Sequence, residues 1–221
     1  MYEQVISLGF FCSVALELKR LNLRSGSGPF DWVISDLKGI LRLMENNFED
    51  FLNPKFLVQN KVYPYIYVNI RYLIEFYHDF NPNIPMEAQI EEIQNKYKKR
   101  IEKFYHDITT PTLFVRYIKN QEEYDFICKT HNDIISVLKK FNIHNDWILI
   151  GNDEIQLNSM PIYQVAKDTN DVVARKFLDK NNKLLELLNG PIIPQSVRHT
   201  NKIWSMKERK RHKLMEASYN E

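Results

Sequence analysis

A chain of 221 residues, 44% hydrophobic and 26% charged, is long enough to bury one sizeable core and does not require a second domain. Its formal net charge of +2 argues against nucleic acid as a partner, and no run of 18 apolar residues is present to span a membrane. The two cysteines, Cys12 and Cys128, can form at most one bridge, and Glu3 stands where a signal peptide would be basic. We therefore expect a cytoplasmic protein in a reducing compartment.

The first predicted elements are a strand, a tight turn and a helix. The apolar run at residues 5–8, followed by Gly9, predicts a buried strand that ends in a turn. Ser13 is the expected N-cap of the helix. Apolar residues recur along that helix at helical spacing, at Val14, Leu18 and Leu21.

Cys12 lies where this strand turns into the helix. Free amide groups and the positive end of the helix dipole favour a thiolate at such a position, so we predict a partly exposed Cys12 with a lowered pKa. The other interpretation is a small cysteine that packs under the turn and is inert.

A second motif follows the Gly-Ser turn at residues 25–28, where Asp31 stands between Phe30 and Trp32. A carboxylate among aromatic rings needs partners, because burying an unpaired charge is costly. Asp31 therefore either forms a turn or helix cap, or orients a catalytic base or substrate beside Cys12.

His78 follows a region rich in Tyr, Ile, Val and Phe. Residues 62–77 predict one strand or a hairpin of two. His78 opens the next loop, where catalytic side chains are often presented, and Asp79 stands beside it. Neighbouring residues of a strand point to opposite faces, so Asp79 can orient His78 only if the strand has already ended.

The rest of the chain alternates between helices and strands. Helical spacing is present at 37–51, 86–106, 122–141 and 171–188, and apolar strand-like runs at 112–118, 147–151 and 161–166. Such alternation predicts a single α/β domain over residues 1–221, with a mostly parallel sheet flanked by helices on both faces. A basic tail is expected at about 205–221.

Three residues fall at or just beyond predicted strand ends, namely Cys12, Arg116 and Asp153. Because the carboxyl ends of parallel strands share one edge, where ligands bind, we expect these residues to line one cleft. Arg116 and Asp153 are the predicted substrate-binding side chains.

Other patterns point to no cofactor or metal. The sequence has no Gly-rich phosphate loop and no His or Cys cluster at metal-ligand spacing. The basic residues within 86–106 are not interleaved with aromatic residues, which favours a solvated helix face over a phosphate or nucleic-acid surface.

Three segments, residues 7–12, 29–32 and 76–80, resemble the motifs of a family catalogued as papain-like cysteine peptidases. The resemblance implies Cys12 as nucleophile and His78 as base, with an acidic residue as orienter. It also implies a cysteine helix packed against an antiparallel sheet, which departs from the parallel sheet expected of the second half.

From these residues we predict a Cys-His hydrolase, either a papain-like peptidase or a related acyl-transfer enzyme. In that chemistry Cys12 is nucleophilic as a thiolate, His78 holds it as an ion pair, and amide groups near Ser13 stabilise the oxyanion. Asp31 ranks first as the orienting acid, since the Gly-Ser turn can fold it over the start of the Cys12 helix. Asp79 and Asp153 follow it.

Two alternatives stay open. One is a transferase or hydrolase that acts on a glycan or nucleotide-linked group, with Arg116 binding the anion. The other is an interaction module in which Cys12 is merely buried. Neither the substrate, whether peptide, acyl or glycan-linked, nor the oligomeric state is predicted.

Overall fold

The computed structural model describes residues 1–167 and 176–198. Its elements in chain order are β1 (Gln4–Ser7), α1 (Cys12–Arg20), β2 (Val33–Ser35), α2 (Leu37–Glu45), β3 (Leu57–Gln59), β4 (Tyr67–Asn69), β5 (Ile74–Phe76), α3 (Met86–Asp107), β6 (Thr112–Tyr117), α4 (Gln121–Lys139), β7 (Asp146–Asn152), β8 (Tyr163–Val165) and α5 (Asn182–Asn189). The predicted basic tail at 205–221 lies outside the described residues.

Four parallel strands, counted within the described residues, form one sheet in the order β1-β6-β7-β8. Their carboxyl ends lie at one edge: the Tyr117 amide donates to the Gly9 carbonyl at 2.9 Å, and the Ile118 amide donates to the Ile150 carbonyl at 2.7 Å. The predicted parallel sheet and its shared edge are thus confirmed.

Both faces of this sheet are covered by helices, as the continuously apolar strands predict. Phe114 of β6 and Leu149 of β7 belong to a core that includes buried side chains of α3 and α4. Their neighbours Val115 and Ile148 belong to a second core, which includes side chains of α1 and α5. The alternation of side chains along a strand places the two cores on opposite faces.

A second sheet in the described part of the chain is antiparallel, in the order β2-β5-β4-β3. The β4–β5 pair confirms the hairpin predicted within residues 62–77. The sequence analysis missed β3. This strand pairs with β4, for example Val58 with Val68, ten residues further along the chain. Since β2 pairs with β5, the sheet joins the segment after Asp31 to the one before His78.

The helix predicted at 37–51 is shorter in the structure and ends at Glu45. Asn47, Phe48 and Asp50 have φ values near +58°, in the left-handed region that ends a right-handed helix. Phe48 and Phe51 are nevertheless buried, so their apolar spacing reports core packing rather than a continued helix.

Of the helix predicted at 171–188, the structure confirms the part from Asn182 onward; residues 171–175 lie outside the described ranges. A short 3-10 helix at Phe177–Lys180 comes first, and α5 follows. Asn181 separates them: its backbone is extended, and its side-chain oxygen caps α5 by accepting from the Leu184 amide at 3.0 Å. Asn competes for the backbone in this way, which is why it favours caps over helix interiors.

Candidate functional site

The start of α1 forms the centre of the candidate site. Cys12 is the first residue of the helix, and Phe11, with φ −138° and ψ 174°, occupies the N-cap position. The predicted cap at Ser13 is therefore wrong by two residues. No side chain of the described residues caps this end. The first-turn amides, which have no partner within a helix, are left to interact with other groups.

Cys12 is buried, with 5% of its surface exposed, in contrast to the predicted partial exposure. Burial raises the pKa of the thiol to about 12, and the charge of Asp31 acts in the same direction. The amide of Cys12 itself lowers the pKa, as expected at a helix start, but this effect is the smaller one. The predicted lowered pKa is thus wrong, because desolvation by the apolar core outweighs the helix terminus.

The His78 ring lies in the same corner of the molecule. Its centre is 6.5 Å from that of Phe11, the residue before Cys12, and 6.3 Å from that of Trp32, in an edge-to-face arrangement. Because β5 ends at Phe76, His78 belongs to the following loop and not to a strand. The structure therefore brings the segments of all three predicted motifs together.

Asp31 lies close enough to Cys12 for its charge to act on the thiol. The carboxylate is buried, and its Oδ2 accepts hydrogen bonds from Arg24 Nε at 3.0 Å, Arg24 Nη2 at 2.6 Å and the Gly28 amide at 2.5 Å. A buried carboxylate with this many donors is held in one orientation. Sequence reasoning missed Arg24, although a cation near a buried Asp is a signal for a pair.

Asp79 is anchored to α3. It forms an ion pair with Lys96 and accepts a hydrogen bond from the Tyr97 hydroxyl at 2.8 Å. Tyr97 is buried, and burial, together with the charge of Asp79, raises its pKa well above the usual value. These contacts fix the backbone next to His78 against a long helix.

Arg116 is fully buried, and its five N–H groups are all engaged. Nε and Nη2 donate to Glu123 at 2.9 and 2.6 Å, Nη1 donates to the Leu8 carbonyl at 2.6 Å, and Ser35 accepts from both terminal nitrogens at 2.9 and 2.8 Å. The guanidinium therefore joins the turn before Cys12 to β2 and α4. It has no N–H group left for a substrate anion.

Asp153 follows β7 at the predicted edge of the parallel sheet. Its side chain is exposed, and Oδ1 accepts from the Lys167 amide at 2.9 Å. Strand β7 is two places from β1, a lateral distance of about 10 Å. Asp153 and Cys12 thus share an edge of the sheet, with β6 between their strands.

In the part of the chain that the structure describes, no group of three His, Cys, Asp or Glu side chains could hold a metal ion. None of the helices in this part is long and apolar enough to cross a membrane.

Comparisons with known proteins agree with the motifs. Over 121 residues, the chain is 31% identical to "Uncharacterized protein R408" of Acanthamoeba polyphaga mimivirus, an alignment that takes in 45% of this chain and 54% of the viral protein. The chain thus spans about half the length of this relative. No solved structure matches. A family model matches residues 3–146, and the chain therefore belongs to the family described as "Putative papain-like cysteine peptidase (DUF1796)".

Proposed function

We propose that this protein is a Cys-His hydrolase, a papain-like peptidase or a related acyl-transfer enzyme, with Cys12 as nucleophile and His78 as general base. The observation that carries the proposal is the convergence of three distant segments. The start of α1, the Asp31–Trp32 segment and the loop at His78 meet around the Phe11 ring and the Cys12 thiol.

The raised pKa of Cys12 determines the order of events. At neutral pH a group with a pKa of about 12 is a thiol, so a standing thiolate–imidazolium pair is not the resting form. In the proposed reaction, His78 takes the proton as Sγ forms a bond to the acyl carbon, and the carbonyl electron pair moves to its oxygen. When the acyl–leaving-group bond breaks, the leaving group takes the proton from His78. Water then hydrolyses the thioester.

The uncapped start of α1 supplies the oxyanion site in this proposal. The amides of Ser13 and Val14 belong to the first turn, which no side chain of the described residues caps. Backbone N–H groups at a helix start carry a partial positive charge and need not reorganise as negative charge develops. Ser13 therefore contributes its amide, while its buried side chain lies in the wall of the site.

Acidic and basic side chains around the thiol have different roles. We assign Asp31 to stabilise His78 in its protonated form, because a fixed carboxylate favours a nearby cation. Asp79 and Arg116 are positioning residues, one fixing the His78 loop to α3 and the other fixing the turn before Cys12. Asp153 is the proposed polar contact for the distal part of a substrate, since its carboxylate is exposed at the sheet edge.

The test is covalent labelling of the folded full chain with a peptide vinyl sulfone, located by mass spectrometry. We expect labelling at Cys12, its loss in Cys12→Ser, and a rate lowered about 10² to 10⁴-fold in His78→Asn. The matched control is Cys128→Ser, which removes the other free cysteine and leaves labelling at Cys12 unchanged. Labelling at Cys128 alone, or none before unfolding, would remove Cys12 from the chemistry.

One alternative has an observation in its favour. The burial of Cys12 and its high pKa also fit an interaction module in which the cysteine is only packed. In that case His78→Asn leaves the labelling rate unchanged in the folded protein. The glycan or nucleotide-linked alternative relied on Arg116 as an anion ligand, and nothing in the site favours it, since all five N–H groups of Arg116 are engaged.

A further inference from the structure

A narrow cleft lies between α3 and the Gly-Ser loop, and Asp31 is among the residues that line it. Its empty volume, counting the open mouth, is about 340 Å³. The polar side chains that line it belong mainly to two elements, the loop and the last turns of α3. They are Ser7, Arg24, Ser25, Ser27, Asp31, Arg100, Lys103 and Asp107, so two carboxylates face the cleft beside its three cations.

Arg100 has an unmet hydrogen-bonding requirement in this cleft. Its guanidinium lies over the Tyr97 ring, 4.8 Å from the ring centre. Among residues 1–167 and 176–198, no acceptor bonds to its buried Nη1. A buried charged donor without an acceptor costs more than a neutral one, so an acceptor that reached this guanidinium would be bound favourably.

Among the charged side chains that line the cleft, one cation has no ion-pair partner in the described part of the chain. Arg24 is paired with Asp31, and Lys103 is paired with Asp107. Arg100 has no ion pair with any described residue, and its charge is thus uncompensated. An anion that entered the cleft would meet a net positive field.

Both serine oxygens of the Gly-Ser loop already accept a hydrogen bond from a cation, which leaves their hydroxyl hydrogens to donate. Ser25 Oγ accepts from Lys103 Nζ at 2.9 Å, and Ser27 Oγ accepts from Arg24 Nη2 at 2.8 Å. Because each oxygen already accepts from a cation, its own hydrogen is directed away from that cation and is available to an acceptor. The cleft therefore offers N–H and O–H donors from several directions.

We propose that this cleft binds a phosphate group, either inorganic phosphate or a phosphate monoester, with Arg100 as its principal ligand. A planar guanidinium matches two oxygens of a phosphate, and the lysine and serine donors fit its remaining oxygens. The open mouth of the cleft leaves room for an ester substituent. This cleft shares Asp31 with the proposed Cys12 site, but phosphate binding does not depend on the function proposed there.

Titration calorimetry on the full chain tests the proposal, with inorganic phosphate and phenyl phosphate as ligands at an ionic strength held constant with sodium chloride. We expect saturable binding of both, weakened at least tenfold in Arg100→Gln. Lys98→Gln is the matched control, because Lys98 is an exposed cation on the same helix that does not line the cleft. Tighter binding of phenyl phosphate would identify the ligand as an ester, and equal binding would identify the phosphate group alone.

Two results would overturn the proposal. One is the absence of heat or thermal stabilisation from phosphate beyond that from chloride. The other is equal phosphate affinity in Arg100→Gln and Lys98→Gln. Should Arg100→Gln fail to fold, Ser25→Ala replaces it, because Ser25 is on the exposed loop. The expected result is then a severalfold loss of phosphate affinity, and an unchanged affinity would count against the site.

Discussion

Arg116 and Glu123 form a two-pronged ion pair in the interior, with Nε 2.9 Å from Oε1 and Nη2 2.6 Å from Oε2. The same guanidinium reaches the Leu8 carbonyl and both oxygens of Ser35. One side chain thus connects the end of β1, the antiparallel sheet and α4. This connection holds the turn before Cys12 against the antiparallel sheet, whose strand β5 leads into the His78 loop.

Breaking this pair on one side is expected to be strongly destabilising. Glu123→Gln keeps the size of the side chain but leaves the Arg116 charge buried without its counterion, a change that costs about 3–5 kcal/mol. Urea unfolding followed by circular dichroism measures the loss. The control is Lys140→Ala, which removes an exposed pair with Glu45 worth less than about 1 kcal/mol. Equal losses for the two variants would contradict the role given to the buried pair.

A close approach of two backbones at Gly39 gives a second prediction. A Cβ added to Gly39 would lie 1.9 Å from the carbonyl oxygen of Tyr72, a backbone atom that cannot move alone. Gly39→Ala should therefore lower the free energy of unfolding by about 1–3 kcal/mol or more, although alanine is the better helix former.

The matched control for Gly39 is Gly26→Ala. The Cβ added there would meet Lys103 Cε at 3.2 Å, the flexible part of a long side chain that can shift. Thermal unfolding of both variants under one set of conditions separates the effects. We expect a marked drop in Tm for Gly39→Ala only, and similar values for the two would show that α2 can move away from Tyr72.

The sequence predicted the elements whose patterns are long and local. Helices α3 and α4 span 22 and 19 residues, and their apolar spacing fixes their type without help from the rest of the chain. Strands β6 and β7 are nearly continuous apolar runs, which is typical of parallel strands covered on both faces.

The errors lie where tertiary contacts override a local pattern. The apolar residues Phe48 and Phe51 continue the helical spacing of α2, yet they are buried from a loop. Asn181 interrupts an apolar stripe, because its side chain caps the helix that follows. The three-residue strand β3 is too short for its period to be distinguished from chance.

At the site, the sequence predicted which segments meet but not the chemistry that results. The spacing of motifs suggested that Cys12, Asp31 and His78 belong together. The direction of the pKa shift at Cys12 depends on how much apolar surface closes over the thiol, which no local pattern contains. Likewise, Arg24 binds Asp31, a pairing that is visible only once the loop between them is folded.

Alkaline pH should destabilise the protein because several buried groups are held protonated. Burial raises the pKa of Cys12 to about 12 and that of Tyr97 well above 10.0. The unfolded chain, with ordinary pKa values, loses these protons first and therefore binds fewer protons than the native state. The contribution of these groups to the free energy of unfolding is complete below about pH 8.5. It then falls with rising pH, by up to about 1.4 kcal/mol per pH unit for each group.

Urea unfolding between pH 8 and 11 measures this slope. Tyr97→Phe removes one of the groups and should reduce the slope above about pH 10. Tyr63→Phe is the matched control, because the Tyr63 ring is exposed and its removal should leave the slope unchanged. An equal slope in the unchanged protein, Tyr97→Phe and Tyr63→Phe would show that Tyr97 ionises as readily in the native state as in the unfolded one.

Replacing Asp31 should make Cys12 more acidic. The carboxylate of Asp31 raises the pKa of the thiol, and Asp31→Asn removes that charge while leaving the Arg24 cation nearby. Loss of this negative charge beside the retained cation favours the thiolate, so the midpoint of Cys12 alkylation by iodoacetamide should fall, by less than burial raises it. Because burial is the larger cause, the midpoint should still lie above about 8.5, the value of a free thiol.

The rates are compared only where circular dichroism shows a folded protein, with Asp153→Asn as a control that leaves the midpoint unchanged. A midpoint that stays constant or rises in Asp31→Asn would show that Asp31 does not act on the thiol and would remove it from the acid role proposed beside His78.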